Sequence, residues 1–290
     1  MSGIQKDKAV FESKRVLVAL DMTYMDSVLI RYLAFLKDTI DVDHIIFYHN
    51  IWFDTPDNGA ELLSKLDRPL EDILKEKIRT QIIEHIDEND FSITITQSED
   101  SAKEIKKTQK SEQIDLTVFG KKVSVNDTGY LIERVLYNNT DSNILVVPET
   151  AFYRLEKVLV PLDFSRKSSK ALIKSLSLAK KSNVEISCLH VYAISNIYFP
   201  YLPIKDLKDN TQKKVSSEWE RYKKKYLQDV PIPEITFSFN ADLPVSRVIY
   251  EHALNAETDM IALPADSSVI NSTLISLLKM DMHLPLLVLS

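Results

Sequence analysis

Residues 157–165 decide the fold of this chain, and they read Lys157-Val158-Leu159-Val160-Pro161-Leu162-Asp163-Phe164-Ser165. The apolar residues form a continuous run, which is typical of a parallel strand covered on both faces. Asp163 ends the run, and the Ser-rich residues after it can open a helix. The acid therefore stands at the carboxyl end of a strand, where open α/β sheets place their ligands.

A near copy of this stretch occurs earlier in the chain, and it reads Arg15-Val16-Leu17-Val18-Ala19-Leu20-Asp21-Met22-Thr23. The two copies are offset by 142 residues, and so are the predicted fifth strands, Ile144 to Val147 and Leu286 to Leu289. Offsets this constant across whole units indicate a tandem duplication. Strand and helix patterns alternate in each copy, which predicts parallel sheets with right-handed crossovers. We therefore expect an α/β fold of two doubly wound, five-stranded domains at residues 1–150 and 151–290.

Composition narrows the class of protein. A net charge of -6 argues against a nucleic-acid-binding surface. No apolar run approaches the ~18 residues of a membrane span, and Met1 to Lys14 has no apolar core of signal-peptide length. The single cysteine, Cys188, lies in an apolar strand pattern and is expected to be buried and inert. We expect a cytoplasmic protein without membrane or nucleic-acid partners.

Several segments together resemble the universal stress protein family in its tandem two-domain form. The resemblance covers nearly the whole chain, and its pieces are Val158 to Asp163 with Ser165, Leu189-His190-Val191, Glu133 to Leu136, Ile144 to Pro148, Asp242-Leu243-Pro244 and Leu284 to Val288. The resemblance implies an adenine nucleotide alpha-hydrolase-like fold with strand order 3-2-1-4-5. It also implies an internal pseudo-dimer paired through the fifth strands. Some members of the family bind ATP and others do not.

The nucleotide-binding members carry a Gly-x2-Gly-x9-Gly-Ser/Thr loop after strand 4, because glycines let the backbone approach phosphates at a helix N-terminus. The first half keeps Gly120 and Gly129, but Val123 replaces the middle glycine and Tyr130 replaces the hydroxyl. Eight residues separate the two glycines where the family has twelve, which removes about 13 Å of possible reach. Lys121 and Lys122 favour an anion and Asp127 does not. Two interpretations stay open: a plain turn with solvated lysines, or a weak phosphate or nucleotide site.

The second half has no glycine at all after Gly129. Pro264 stands where the first glycine would be and removes a backbone donor, and Asp266 would repel a phosphate. Ser272 and Thr273 can still cap the last helix. The loop therefore predicts a capped helix without a ligand.

Asp21 and Asp163 match the acid that faces the adenine side in nucleotide-binding members. An acid in this position also stabilises the following helix by ~0.3–1 kcal/mol, and the sequence leaves the two roles open. His49 and His190 end the second strands, and neither has a second histidine or cysteine at ligand spacing. They are expected to be packed or hydrogen-bonded rather than metal-bound.

The preferred interpretation is a non-enzymatic universal stress protein with degenerate nucleotide sites and no cofactor. The alternative is an ATP-binding module with its site in the first domain. The candidate cofactor-binding residues are Asp21, Gly120, Lys121, Lys122, Gly129 and Asp163. No nucleophile–base pair supports a hydrolase.

The partner is expected to be an unidentified protein or small ligand, and a homodimer is possible in addition to the internal pairing. The aromatic segment Ile197 to Leu202 could form a partner surface or fold over its own cleft.

Overall fold

The chain forms two compact units in this computed structural model. The N-terminal unit contains Glu12–Tyr153 with His283–Pro285 and Ser290, and the C-terminal unit contains Arg154–Met282 and Leu286–Leu289 with the segment that ends at Phe11. The structure describes residues 11–52, 66–122, 128–137, 142–193, 204–240, 243–265 and 272–290.

The N-terminal unit is a parallel sheet with helices between its strands. Its strands are β1 (Arg15–Leu20), β2 (His44–Ile51), β3 (Phe91–Gln97), β4 (Leu116–Lys121) and β5 (Asn143–Pro148). Its helices are α1 (Tyr24–Thr39), α2 (Leu70–Ile82), α3 (Ser101–Ser111) and α4 (Thr128–Tyr137), with a 3-10 turn at Glu88–Asp90. The strand order is β3-β2-β1-β4-β5.

The C-terminal unit repeats this arrangement. Its strands are β6 (Lys157–Pro161), β7 (Glu185–Ala193), β8 (Ile235–Asn240), β9 (Met260–Pro264) and β10 (Leu286–Leu289). Its helices are α5 (Arg166–Ser182), α6 (Ile204–Tyr226), α7 (Val245–Asn255) and α8 (Ser272–Lys279). The order β8-β7-β6-β9-β10 is that of the first unit, with all pairs parallel. The predicted α/β fold of two tandem five-stranded domains is confirmed.

The core of each unit lies around its central strand, as the continuous apolar runs predict. Val16, Leu17 and Val18 of β1 are fully buried, and so are Val158 and Leu159 of β6. The apolar stripe of α1 covers the first sheet with the buried side chains of Leu29, Leu33 and Leu36. Apolar burial of this kind contributes ~25 cal/mol per Å² to folding. Burial of the central strands therefore fixes the positions of the polar residues that follow them, Asp21 and Asp163.

Some predicted boundaries were wrong. The apolar spacing in the sequence predicts the second helix from about Arg68 to Ile86. It begins at Leu70 instead, because Pro69 fits only the helix N-terminus, and it ends at Ile82. Gly120 lies inside β4 rather than at its end. Other expectations fall outside the described residues, namely those for Pro56 to Gly59, Val123, Asp127, Ile197 to Leu202, Asp242 and Asp266 to Ser268.

No helix in the part of the chain that the structure describes is both long enough and apolar enough to cross a bilayer.

Candidate functional site

The two units build the same turn at the end of their central strands. Met22 and Phe164 both have φ of 61°, a left-handed conformation that costs a non-glycine residue about 1–2 kcal/mol. The carboxylate before each of them accepts a backbone N–H two residues on, from Thr23 to Asp21 at 3.1 Å and from Ser165 to Asp163 at 2.9 Å. The next helix then begins with Thr23 or Ser165 as its N-cap. The two acids thus hold the turns that open α1 and α5.

A histidine from the neighbouring strand is fixed against each turn. His49 Nδ1 donates to the Leu20 carbonyl at 3.0 Å, and His190 Nδ1 donates to the Leu162 carbonyl at 2.7 Å. Because a carbonyl oxygen only accepts, each Nδ1 carries the hydrogen of this bond. Among the residues that the structure describes, no group of three or more His, Cys, Asp or Glu could hold a metal ion.

In the N-terminal unit the residue after β4, Lys122, pairs with the strand-end acid. Lys122 Nζ lies 2.8 Å from Asp21 Oδ2, and the Lys122 side chain is only 15% exposed. The same ammonium lies 5.7 Å from the centre of the Tyr24 ring, and the Tyr24 hydroxyl donates to the Glu149 carboxylate. Partial burial raises the pKa of Asp21, but the bonds from Lys122 and Thr23 outweigh burial and leave that pKa lowered. The lysine is paired rather than solvated.

Gly120 serves close packing in this structure. A Cβ built on Gly120 would lie 2.5 Å from Met25 Cγ and 3.1 Å from Met25 Cε. Lys121 is buried, so the expectation of solvated lysines is wrong for both lysines. Gly129 lies in the first turn of α4. Asp21, Gly120 and Lys122 therefore come together around α1, whereas Asp163 belongs to the other unit.

Sequence reasoning missed the buried acid Asp26, which is 2% exposed. Its two carboxylate oxygens accept the backbone N–H groups of Asp21 and Met22, each at 3.0 Å. Burial, with the charge of Asp21 adding to it, raises the pKa of Asp26 to about 6, although the backbone hydrogen bonds oppose the shift. The sequence does contain a signal for this burial, because Asp26 stands three residues before Leu29 and therefore lies on the same face of α1.

The C-terminal unit contains a cleft of about 250 Å³ at the carboxyl ends of its strands. Its walls come from the ends of β6, β7 and β9, the first turn of α5 and the N-terminal parts of α7 and α8. The lining residues are Pro161, Leu162, Asp163, Ser168, Leu189, His190, Val191, Val245, Ile249, Leu263, Pro264 and Thr273. The sequence of the loop predicts a capped helix without a ligand. The concave surface is not predicted from that loop, because its walls come from three strands and three helices.

An aromatic cluster supports one side of the cleft. The Phe164 ring stacks on His190 with centroids 4.0 Å apart and planes at 9°. Trp219 and Tyr222 of α6 pack against Phe164, with centroids 5.7 and 5.2 Å away. Burial lowers the pKa of His190, although the Leu162 carbonyl opposes the shift. The ring is therefore held neutral and in one orientation.

Comparison with known proteins agrees with this arrangement. Residues 154–269 match the universal stress protein family. A universal stress protein from Archaeoglobus fulgidus is 17% identical, with a TM-score of 0.66, 97% of this chain covered and 99% of that chain. A functionally unknown protein from Pseudomonas aeruginosa is 11% identical, with a TM-score of 0.62 and coverage of 97% and 94%.

A candidate universal stress protein from another strain of Pseudomonas aeruginosa is 12% identical, with a TM-score of 0.60 and coverage of 96% and 93%. A search of curated protein sequences finds no match. The family match lies in the second half of the chain, and the similarity to the three solved structures extends the fold over both halves.

Proposed function

We propose that this chain, a tandem universal stress protein with its family domain at residues 154–269, acts in a stress response without catalysing a reaction and has degenerate nucleotide sites. We place its action in the cytoplasm, which the single cysteine supports. Its partner is an unidentified protein or small ligand, with no nucleic acid involved and homodimerisation possible.

The ion pair between Lys122 and Asp21 is the observation that carries the proposal. A phosphate recruited by Lys122 would have to displace the chain's own carboxylate at 2.8 Å. Two unit charges 4 Å apart interact by ~4 kcal/mol at an effective dielectric of 20, a figure that solvent reduces here because Asp21 is half exposed. The loop between Gly120 and Gly129 is also four residues shorter than the family pattern. Both features favour a site that has lost its phosphate ligand.

The absence of a catalytic role is supported by the chemistry of the candidate nucleophiles. Burial raises the pKa of the Cys188 thiol to about 12, so the reactive thiolate is scarce at neutral pH. The Ser168 hydroxyl donates to the Ser165 carbonyl at 3.0 Å. His49 and His190 each donate Nδ1–H to a main-chain carbonyl rather than to an orienting carboxylate.

An ATP-binding module in the N-terminal unit is the second candidate. Helix α4 begins at Thr128 with Gly129 in its first turn, and a helix N-terminus attracts phosphates. ATP would then lie beside Asp21, Gly120 and Gly129.

Isothermal titration of the whole chain with ATP and Mg²⁺ distinguishes the two candidates. We expect no binding tighter than about 100 μM and no release of phosphate. Two sites of low micromolar affinity would contradict the proposal. A single site that is lost in Gly129→Val and unchanged in Asp163→Ala would establish the second candidate.

A further inference from the structure

We propose that a groove between α3 and α4 of the N-terminal unit binds an acidic peptide segment of a partner protein. The proposal rests on the proposed function, because it assigns a surface and a chemistry to the unidentified partner. The groove is distinct from the strand-end turns at Asp21 and Asp163, since its lining residues come from the two helices and from the N-cap of α3.

The groove lies on the outer side of two packed helices. Helices α3 and α4 contact each other, and the side chains that face the interior of the unit are each at most 2% exposed, namely Ala102, Ile105, Ile132 and Val135. The outward faces enclose a volume of about 420 Å³. The described residues that line it are Asp100, Lys103, Lys106, Arg134 and Tyr137.

The lining of the groove is cationic. Lys103 and Lys106 lie three residues apart on α3 and therefore share one face of that helix, and Arg134 lines the groove from α4. Asp100 is the one acid among the described lining residues, which leaves a formal charge of +2. A segment that brings several carboxylates therefore finds a complementary surface here, although the whole chain carries a charge of -6.

Asp100 holds the two walls of the groove together. Its carboxylate accepts the backbone N–H of Lys103 at 3.0 Å and so caps α3. It also accepts a hydrogen bond from Arg134 Nη2 at 2.8 Å. A guanidinium has five N–H donors, so Arg134 keeps donors for a second carboxylate. Because its position is already fixed, binding costs this side chain less conformational entropy.

Two exposed tyrosines of α4 favour a peptide over a compact anion. Tyr130 is 66% exposed and Tyr137 is 68% exposed, and they stand four residues before and three residues after Arg134, on one helix face. The Arg134 guanidinium carbon lies 5.6 Å from the centre of the Tyr130 ring. Tyrosine and arginine carry much of the binding energy at protein interfaces, and a peptide can pack on the rings as a phosphate ion cannot. Three cations are few for a nucleic acid, whose affinity comes from neutralising many phosphates.

The C-terminal unit has different residues at the corresponding positions of its helix. Helix α7 has 11 residues, as α3 has, and begins 144 residues later. Tyr250 therefore corresponds to Lys106, and it is only 9% exposed. Arg247 corresponds to Lys103, and it pairs with Glu251 of its own helix at 2.8 Å. The two lysines that line the groove thus belong to the N-terminal unit and are not shared by the duplicated helix.

Fluorescence anisotropy of the full chain with labelled peptides tests the proposal. The probe is an extended peptide of about eight residues, alternating Asp and Glu around one central Leu, which is long enough to follow the ~16 Å of α3. Its counterpart has Asn and Gln in place of Asp and Glu. We expect the acidic peptide to bind with a dissociation constant below about 1 mM at low salt and at least about tenfold more weakly at ~0.5 M salt. No binding up to about 1 mM, or equal binding of the neutral peptide, would overturn the proposal.

Two other anions are compared with the peptide. Inorganic phosphate is added as a competitor at constant ionic strength, and a single-stranded oligothymidylate is titrated under the conditions used for the peptide. We expect phosphate at about 1 mM to leave the peptide bound and the oligonucleotide to bind at least about tenfold more weakly. Displacement by phosphate would assign the groove to a small anion, and equal or tighter binding of the oligonucleotide would assign it to a nucleic acid. Either result would overturn the proposal.

Two variants locate the site, and a third serves as the matched control. Lys103→Glu reverses an exposed charge in the groove, and Arg134→Gln removes the cation of α4. We expect each to weaken the acidic peptide at least about fivefold, and urea unfolding shows whether either variant also loses stability. Arg247→Glu makes the same charge reversal at the exposed corresponding position of α7 and should change affinity by less than about twofold. Unchanged affinity in Lys103→Glu, or an equal loss in Arg247→Glu, would overturn the proposal.

Failure here is distinguishable from failure of the proposed function. Tight binding of ATP with Mg²⁺ contradicts the degenerate sites and involves Asp21, Gly120 and Gly129, which do not line the groove. Absence of binding by the acidic peptide and by ATP alike contradicts only the partner assigned to the groove.

Discussion

Asp26 makes the stability of the N-terminal unit depend on pH. Its pKa rises from the ordinary 3.8 to about 6 on folding, so between these values the folded state binds the proton more tightly than the unfolded state. Asp26 therefore contributes most to the free energy of unfolding below about pH 4, where it is protonated in both states. This contribution falls as the pH rises and is lost above about pH 6. A shift of roughly two units corresponds to at most about 3 kcal/mol.

We expect Asp26→Asn to flatten this dependence. We measure urea unfolding of both proteins at about pH 5 and about pH 7.5. In the wild type, the titration of Asp26 should make the free energy of unfolding higher at the lower pH. The difference in free energy of unfolding between wild type and variant should change by about 1–3 kcal/mol between these two pH values. An identical pH profile in both proteins would contradict the assignment of the titration to Asp26.

Gly120→Ala should destabilise the same unit by about 1–3 kcal/mol, because the added methyl overlaps Met25 Cγ at 2.5 Å. Met25→Ala removes that obstacle, so the double variant should lose less than the sum of the two single losses. Thermal or urea unfolding of the four proteins measures the coupling. Simple additivity would show that Met25 is not the obstacle.

At the residue scale, the sequence predicts those side chains whose place follows from the strand that carries them. Asp21 and Asp163 stand at strand ends because an apolar run stops before each of them. The pair between Lys122 and Asp21 joins residues 101 positions apart, and the contact of Gly120 with Met25 depends on how α1 lies over β4. Such contacts depend on three-dimensional packing, which neither spacing nor composition encodes.

At the element scale, α6 is the helix that supports the cleft. Its apolar stripe of Val215, Trp219, Tyr222 and Tyr226 was visible in the sequence, and the first three of these side chains are buried. The partners of the stripe, Phe164 and His190, were not predicted, because they come from a turn and a strand that lie far away in the chain. Strand β10, by contrast, begins and ends where the apolar run in the sequence predicts it.

Trp219→Ala should cost about 3–5 kcal/mol, the usual cost of removing a buried tryptophan, because Trp219 is buried and packs against Phe164. The chain supplies its own control, since it has two tryptophans and Trp52 is 55% exposed. Trp52→Ala should change stability by about 0.5 kcal/mol or less. Equal losses in the two variants, measured by urea unfolding followed by circular dichroism, would contradict the packing described for α6.

At the scale of the whole molecule, each compact unit includes a segment from the other half of the sequence. Phe11 is 3% exposed in the C-terminal unit, and its N–H donates to Ser177 Oγ at 2.7 Å. In the N-terminal unit Thr150 bonds His283 at 2.8 Å, and the Ser290 N–H donates to Asn143 at 3.3 Å. The duplication was readable from constant offsets, whereas this exchange of segments leaves no periodic signal.

We expect the chain to tolerate poorly a cut in the linker Pro148 to Glu156. Separate halves would lack the exchanged segments and, on the pairing that the family resemblance predicts, would leave their fifth strands without a neighbour. The isolated halves should therefore self-associate or aggregate, which size-exclusion chromatography with light scattering measures. Two stable monomers would contradict both the predicted pairing and the importance of the exchanged segments.

The exchange of segments also means that residues that bond each other are synthesised at different times. Phe11 is made 166 residues before Ser177, and Asn143 is made 147 residues before Ser290. At a translation rate of about 5–20 residues per second, Ser177 is made about 8–33 s after Phe11. The N-terminal unit, although translated first, therefore receives its last hydrogen-bonding partner only after the other unit has been synthesised.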